Sequence, residues 1–172
     1  LVNLQKKNIN NSKVKWIKNF NNIKKGPVIF FGNEFFDAIP VKQFSYKKNL
    51  MLEKYYSLNK KNKIDEIYKK ASGRDVSFIK KFRILKNLRF VEFPKLGLDE
   101  LKKIIKKISK LEGGLLLIDY GYLTPKNKNT LQSLIKHKKN NLLHNLGKAD
   151  ITSLVNFNLL NEYFIKNNLK VK

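Results

Sequence analysis

Side chains able to handle charge at a reacting centre sit directly behind two apolar runs. Val28-Ile29-Phe30-Phe31 leads through Gly32 to Asn33, Glu34 and Asp37, and Leu115-Leu116-Leu117-Ile118 leads straight to Asp119 and Tyr120. The chain holds 13 acidic residues against 37 basic ones, a formal charge of +24, so acids gathered behind two such runs stand out. Paired carboxylates can accept hydrogen bonds from a planar, permanently charged guanidinium. The same acids could instead cap the helix after a strand, where backbone N–H groups and the helix dipole favour an anion. Spacing alone weighs those roles equally for Glu34 and Asp37. For Asp119 it leans toward function, because Gly121 marks a tight turn close behind. Other chemistries are poorly supplied. With no cysteine there is no disulfide framework, thiolate metal site or Cys nucleophile. His137 and His144 are too few for a histidine cage, so no metal site is expected.

Something must hold those acids in place. Short continuous apolar runs bounded by turn residues suit strands buried on both faces, as in a parallel sheet. Ligands in such sheets bind beyond the carboxyl ends of the strands. Leu98, Leu101, Ile104, Ile105, Ile108 and Leu111 recur at helical spacing and predict a helix over 98–111. Asp99 and Glu100 then fall in its first turn, and Gly113-Gly114 ends it. This strand–helix–strand rhythm places the chain in the α/β class.

Between Val41 and Leu58 aromatic and apolar residues partly alternate, with Asn49 near the middle, which predicts a β-hairpin insertion. Residues 59–90 read as one or two amphipathic helices. The first 25 residues suggest a short helix and a short strand at Val14 to Ile17. A turn is expected at Pro125, and a last helix capped by Asp150 should run to about Lys166. Phe35 and Phe36 read as core packing, and His137 as a loop or packing residue rather than a base.

The charge is less specific than its size suggests. Arg74, Arg83 and Arg89 are the only arginines, so 34 of the basic residues are Lys, spread along the whole chain. Planar two-point recognition of phosphate or guanine favours Arg. A solvated Lys-rich surface therefore outweighs a dedicated nucleic-acid groove, although general attraction to anions follows either way. No apolar run approaches the ~18–20 residues of a membrane span.

Residues Gly32 to Phe44, reading GNEFFDAIPVKQF, closely resemble a motif of the MidA-like methyltransferases. Further matches follow in order: Val91-Glu92-Phe93-Pro94, Leu117-Ile118-Asp119-Tyr120-Gly121, Thr130-Leu131-Gln132 with His137, and Gly147-Lys148-Ala149-Asp150-Ile151-Thr152 with Val155-Asn156-Phe157. Asn129, Lys148 and Asn156 depart from acidic positions of the pattern. The resemblance spans roughly Trp16 to Phe157 and implies S-adenosylmethionine as methyl donor on a class I, Rossmann-like methyltransferase sheet.

None of the eight glycines forms a Gly-x-Gly turn after an early apolar strand. The resemblance therefore implies a partial sheet: the C-terminal part of one methyltransferase domain over 1–172, with a hairpin and helical insertion at about 42–95. The donor-binding strands and residues are expected upstream of residue 1. It also implies transfer to a protein arginine, with a respiratory-complex subunit as one candidate substrate. Glu34 and Asp37 would be catalytic, and Asn33, Asp119 and Tyr120 would bind substrate. The expected location is the bacterial cytoplasm, or the mitochondrial matrix for a eukaryotic homologue. Two alternatives compete, a basic nucleic-acid-binding module and a non-catalytic assembly factor that keeps the fold.

Overall fold

The computed structural model describes residues 2–9, 11–124 and 127–172; the turn expected at Pro125 lies outside the described residues. Helix α1 (Val2–Asn8) opens the chain. Val14 to Ile17 follow without a ladder partner rather than as a strand. Val14 and Ile17 are both exposed, which leaves a strand there little to gain. The first apolar run forms β1 (Val28–Asn33), as expected.

An antiparallel sheet comes next, built from β2 (Lys42–Lys47), β3 (Leu50–Leu58) and β4 (Ile64–Lys70). Lys48 and Asn49 both adopt positive φ, 45° and 61°, and join β2 to β3 in two residues. That backbone matches the twist of the flanking strands, so the hairpin turns where Asn49 indicates. Residues 64–70 form a strand instead of the expected helix. Ile64 and Ile67 have helical spacing, yet seven consecutive ladder pairs to β3 decide the matter. Helix α2 (Gly73–Lys80) is capped by Ser72, whose Oγ accepts from the N–H of Asp75 at 3.1 Å. Strand β5 (Phe90–Phe93) then pairs with β2 and completes the sheet order β4-β3-β2-β5.

Helix α3 (Lys95–Leu111) begins three residues earlier than its apolar period suggests, so Asp99 and Glu100 lie beyond the first turn. Gly97 sits inside it for a steric reason. A Cβ there would lie 2.7 Å from the ring of Phe36, so only glycine lets the helix lie against the turn after β1. The helix ends at Glu112, with φ 62°, and the glycine pair instead opens β6 (Gly113–Ile118). β6 runs parallel to β1, with Val28 opposite Gly113 and Asn33 opposite Ile118.

The two-residue β7 (Gly121–Tyr122) leads to a small antiparallel sheet of β8 (Gln132–Ile135), β9 (Lys138–Asn140) and β10 (Asp150–Thr152). His137 turns the β8–β9 hairpin at φ 61° and is exposed. Asp150 is not a helix cap: it pairs with Leu134 across the β10–β8 ladder. β11 (Val155–Asn156) runs parallel to β7, and α4 (Phe157–Lys166) follows. Its cap is Asn156, whose Oδ1 accepts from the N–H of Leu159 at 3.0 Å.

The core joins one face of the four-stranded sheet to α2, α3 and α4. Phe44, Phe82, Phe93, Leu98 and Leu159 are essentially inaccessible there. Phe78 meets Phe93 edge-on with ring centres 5.2 Å apart, and the Tyr163 hydroxyl donates to Leu98 O at 2.8 Å. The architecture is α/β with parallel and antiparallel pairings. The antiparallel sheet occupies the stretch between β1 and α3.

Candidate active site at the strand tips

Parallel pairing with Asn33 opposite Ile118 brings the carboxyl ends of β1 and β6 side by side. The N–H of Glu34 donates to Ile118 O at 2.9 Å, continuing the ladder one residue past β1. The chain then turns sharply, with Glu34 at φ 46°. That left-handed conformation costs a non-glycine residue of order 1 kcal/mol and persists only where neighbours enforce it. Asp119 is one such neighbour. Its Oδ2 accepts from the N–H of Phe36 at 2.7 Å and of Asp37 at 3.2 Å, and its Oδ1 from the N–H of Tyr120 at 2.8 Å. One carboxylate thus ties both strand-end turns together.

Further contacts brace the same region. Phe36 is buried against Gly97, whereas Phe35 is exposed and does not pack in the core as expected. Ser153 N–H donates to Asp37 O at 2.9 Å, and Val155 N–H to Tyr120 O at 2.8 Å. Gly121 is required at this crossing, because a Cβ would stand 2.2 Å from Val155 O.

The structure therefore brings Asn33, Glu34, Asp37, Asp119 and Tyr120 to one end of the parallel pair. Asn33, Glu34 and Tyr120 are exposed; Asp37 and Asp119 are half-buried. Burial, and then the charges of Asp119 and Glu34, push the Asp37 carboxyl above its ordinary range despite N–H bonds that oppose the shift. Both oxygens of Asp119 already serve the backbone, so Glu34 and Asp37 are the carboxylates better placed to meet a ligand.

A second cluster went unassigned in the sequence, although its members stand in the quoted motifs. Gln43 Nε2 donates to Glu92 Oε1 at 2.8 Å and to Asn129 Oδ1 at 2.7 Å. Thr130 donates to Glu92 through both its N–H and its hydroxyl, and that hydroxyl accepts from the N–H of Leu154. Burial and the nearby Glu92 raise the phenol of Tyr122. Three motif segments thus meet at one buried carboxylate, a polar network that fixes loop 127–131 and the 153–156 crossing to β2 and β5. Gln43 and Glu92 at buried strand positions were the signal: such residues need partners.

A nucleotide-like methyl donor fits these residues poorly. Gly26, Gly97, Gly113 and Gly121 are closed in by the chain itself, Gly32 near the tip of β1 is met by the side chains of Leu117 and Phe35, and Gly73, Gly114 and Gly147 face open space, so none opens a backbone cradle at the strand tips. A groove of about 690 Å³ runs along Gly113 to Leu117 of β6 and against Phe157, Leu160 and Phe164 of α4; no Asp or Glu side chain lines it. A ribose would have no acidic acceptor there.

Comparison with known proteins then decides the family. The profile described as "Putative S-adenosyl-L-methionine-dependent methyltransferase" matches residues 1–172. The chain belongs to this family. The methyl donor of the family is S-adenosylmethionine. A Caenorhabditis elegans protein named protein arginine methyltransferase NDUFAF7 homolog, mitochondrial, is 29% identical over 148 residues, covering 84% of this chain and 34% of that protein. The Xenopus laevis protein arginine methyltransferase NDUFAF7, mitochondrial, is 24% identical, covering 84% and 33%. The chain therefore spans about a third of the length of these relatives.

Two solved structures from Burkholderia thailandensis share the fold. An uncharacterized protein matches with a TM-score of 0.67 and 17% identity over 83% of this chain and 40% of its own. A second, bound to S-adenosyl-homocysteine, matches with a TM-score of 0.66 and 18% identity over 83% and 38%.

Proposed function

We propose that the chain is the acceptor-side part of an S-adenosylmethionine-dependent methyltransferase whose acceptor is a protein arginine. The observation that supports this reading is the pair of carboxylates, Glu34 and Asp37, on one left-handed turn that Asp119 anchors from behind. A guanidinium offers N–H donors in a fixed plane, and two carboxylates can take two of its edges. Drawing positive charge toward the bound nitrogens leaves the remaining nitrogen richer in electrons. Glu34 and Asp37 are the catalytic pair in this reading. Asn33 stands at the junction between donor and acceptor, and Asp119 with Tyr120 forms the adjacent wall.

A guanidinium nitrogen that gains a methyl group must shed a proton. Asp37 holds a proton more readily than an ordinary carboxyl, which suits it to receive one. The names of the nematode and frog relatives support arginine as the acceptor. They also support a mitochondrial location in a eukaryotic cell, with the cytoplasm as its bacterial counterpart. The nucleic-acid alternative has less support. Lys47, Lys54 and Lys69 lie 4.8, 5.0 and 5.6 Å from the ring centres of Tyr68, Tyr56 and Tyr55, covering faces on which a base would stack.

The test is binding of an arginine peptide followed by NMR, with the same peptide carrying Lys as control. Arginine-specific shifts should centre on Glu34 and Asp37, and Glu34→Gln should weaken binding at least ~10-fold. Equal response to the two peptides would sink the acceptor assignment.

A further inference from the structure

We infer that Glu92 and Thr130 are positioning residues for the arginine site: the buried carboxylate orients the Thr130 hydroxyl, which holds residues 153–155 against the backbones of Asp37 and Tyr120. This rests on the acceptor reading above.

The stretch 153–155 makes three successive N–H bonds. Ser153 donates to Asp37 O at 2.9 Å, Leu154 to Thr130 Oγ1 at 3.0 Å and Val155 to Tyr120 O at 2.8 Å. Backbone groups of extended chain alternate in direction, so Ser153 and Val155 face the strand tips while Leu154 faces away from them. The three residues form a bar. One side carries the turns on which Asp37 and Tyr120 stand, and the other is tied to a side-chain oxygen.

The orientation of that oxygen comes from Glu92. A carboxylate only accepts, and this one takes the Gln43 amide, the Thr130 N–H and the Thr130 hydroxyl. With its proton committed to Glu92, the hydroxyl meets Leu154 N–H through a lone pair. A carboxylate is costly for a purely architectural role. Glu92 is buried, and among the described residues no ion pair neutralises it. Asp75, also buried, has Lys42 and Lys95. An apolar side chain at position 92 would avoid the desolvation cost, but it could not set the direction of the bond to Thr130.

The consequence falls on Asp37. Asp119 Oδ2 grips its N–H at 3.2 Å, and Ser153 grips its carbonyl. Glu92 and Thr130 command the second grip. A displacement of about 1 Å at a reacting group is enough to cost roughly 100-fold, so the angle of this turn matters more to a ligand than to the fold.

The test compares Thr130→Val, which keeps the shape and loses the hydroxyl, with Thr130→Ser, which keeps the hydroxyl. NMR reads amide exchange at Ser153 and Val155, the titration of the Asp37 carboxyl carbon, and affinity for the arginine peptide. Thr130→Val should speed exchange at both amides at least ~10-fold. It should also move the Asp37 titration toward the ordinary range, as the turn opens to water, and weaken the peptide at least ~5-fold. Thr130→Ser should restore all three. Ser72→Ala removes the α2 cap and weakens the fold elsewhere, so it should leave exchange at the bar, the titration and the peptide affinity unchanged. Glu92→Gln turns an amide donor toward the Thr130 hydroxyl and should repeat the Thr130→Val changes in smaller measure, which keeps the test available if the valine variant does not fold.

A folded Thr130→Val protein with unaltered exchange and Asp37 titration overturns the inference. So does faster exchange confined to loop 127–131, or equal disturbance by Ser72→Ala, which would reduce the effect to general loss of stability. Exchange and titration are read on the free chain. Their expected change, with an arginine peptide that binds no form, leaves the positioning of Asp37 standing and removes the acceptor reading.

Discussion

The antiparallel sheet and the parallel pair treat the same kinds of side chain in opposite ways. In the four-stranded sheet Phe44 and Phe93 vanish into a core shared with α2, α3 and α4. In the parallel pair Phe31 and Ile29, no less apolar, lie open on one face. Charges are divided likewise. Asp75 in the antiparallel part is buried and paired with Lys42 at 2.9 Å and Lys95 at 2.6 Å, whereas Glu34 at the strand tips is exposed on a left-handed backbone. The difference separates stability from chemistry. One region satisfies its own groups, and the other leaves groups available to something else.

Substitution of matched residues should expose that division most strongly. Phe93→Ala removes a fully buried ring and should cost about 3–5 kcal/mol in a urea titration. Phe31→Ala, on the open face, should change stability by less than ~0.5 kcal/mol. Comparable losses at the two sites would mean that the parallel pair is covered in solution.

Acid titration probes the buried charge. Burial works to raise the Asp75 pKa, but hydrogen bonds from Lys95, Lys42 and Ser72 outweigh it and hold the value at about 2, from an ordinary 3.8. A depressed carboxyl stabilises the fold above its unfolded pKa and loses that contribution as pH falls through the folded one. Stability should therefore drop between about pH 4 and pH 2, by roughly 2 kcal/mol from this residue. Asp75→Asn should flatten that limb, and an unchanged acid limb would contradict the pairing.

Strain at the tip gives a smaller effect of opposite sign. Glu34→Gly relieves the left-handed backbone and should raise the unfolding free energy by about 1 kcal/mol, while arginine-peptide affinity falls at least ~10-fold. A destabilised Glu34→Gly protein would show that the side chain supports the fold. The smallest effect is a titration shift. Asp37, raised in the free chain by burial and by Asp119 and Glu34, should move back toward the ordinary carboxylate range when an arginine ligand binds, because a cation favours the ionised form. The shift is readable by NMR of the carboxyl carbon, and a move upward would place the guanidinium elsewhere.

How much of this was legible depended on the range of the forces involved. Val28-Ile29-Phe30-Phe31 and Leu115-Leu116-Leu117-Ile118 announced strands because continuous apolar runs have few other uses. Leu98 to Leu111 announced a helix through its period. Residues 64–70 misled, since the spacing of Ile64 and Ile67 is helical and only the β3 ladder makes them a strand. Asp150 misled for the same reason: an acid before an apolar stretch looks like a cap until its pairing with Leu134 is visible. Gln43, Glu92 and Thr130 were noticed as motif letters, but their shared network spans nearly ninety residues of sequence, so polar residues at strand positions signal a need for partners without naming them.

Sequence by itself determined the residue types, the two apolar runs and the acids immediately behind them, because covalent adjacency and side-chain period are local properties. Tertiary structure decided that the two tips meet, that Asp119 turns its oxygens inward to hold both, and that one sheet face stays bare. Those outcomes arise from hydrogen bonds and burial between distant segments, which no spacing along a single chain encodes.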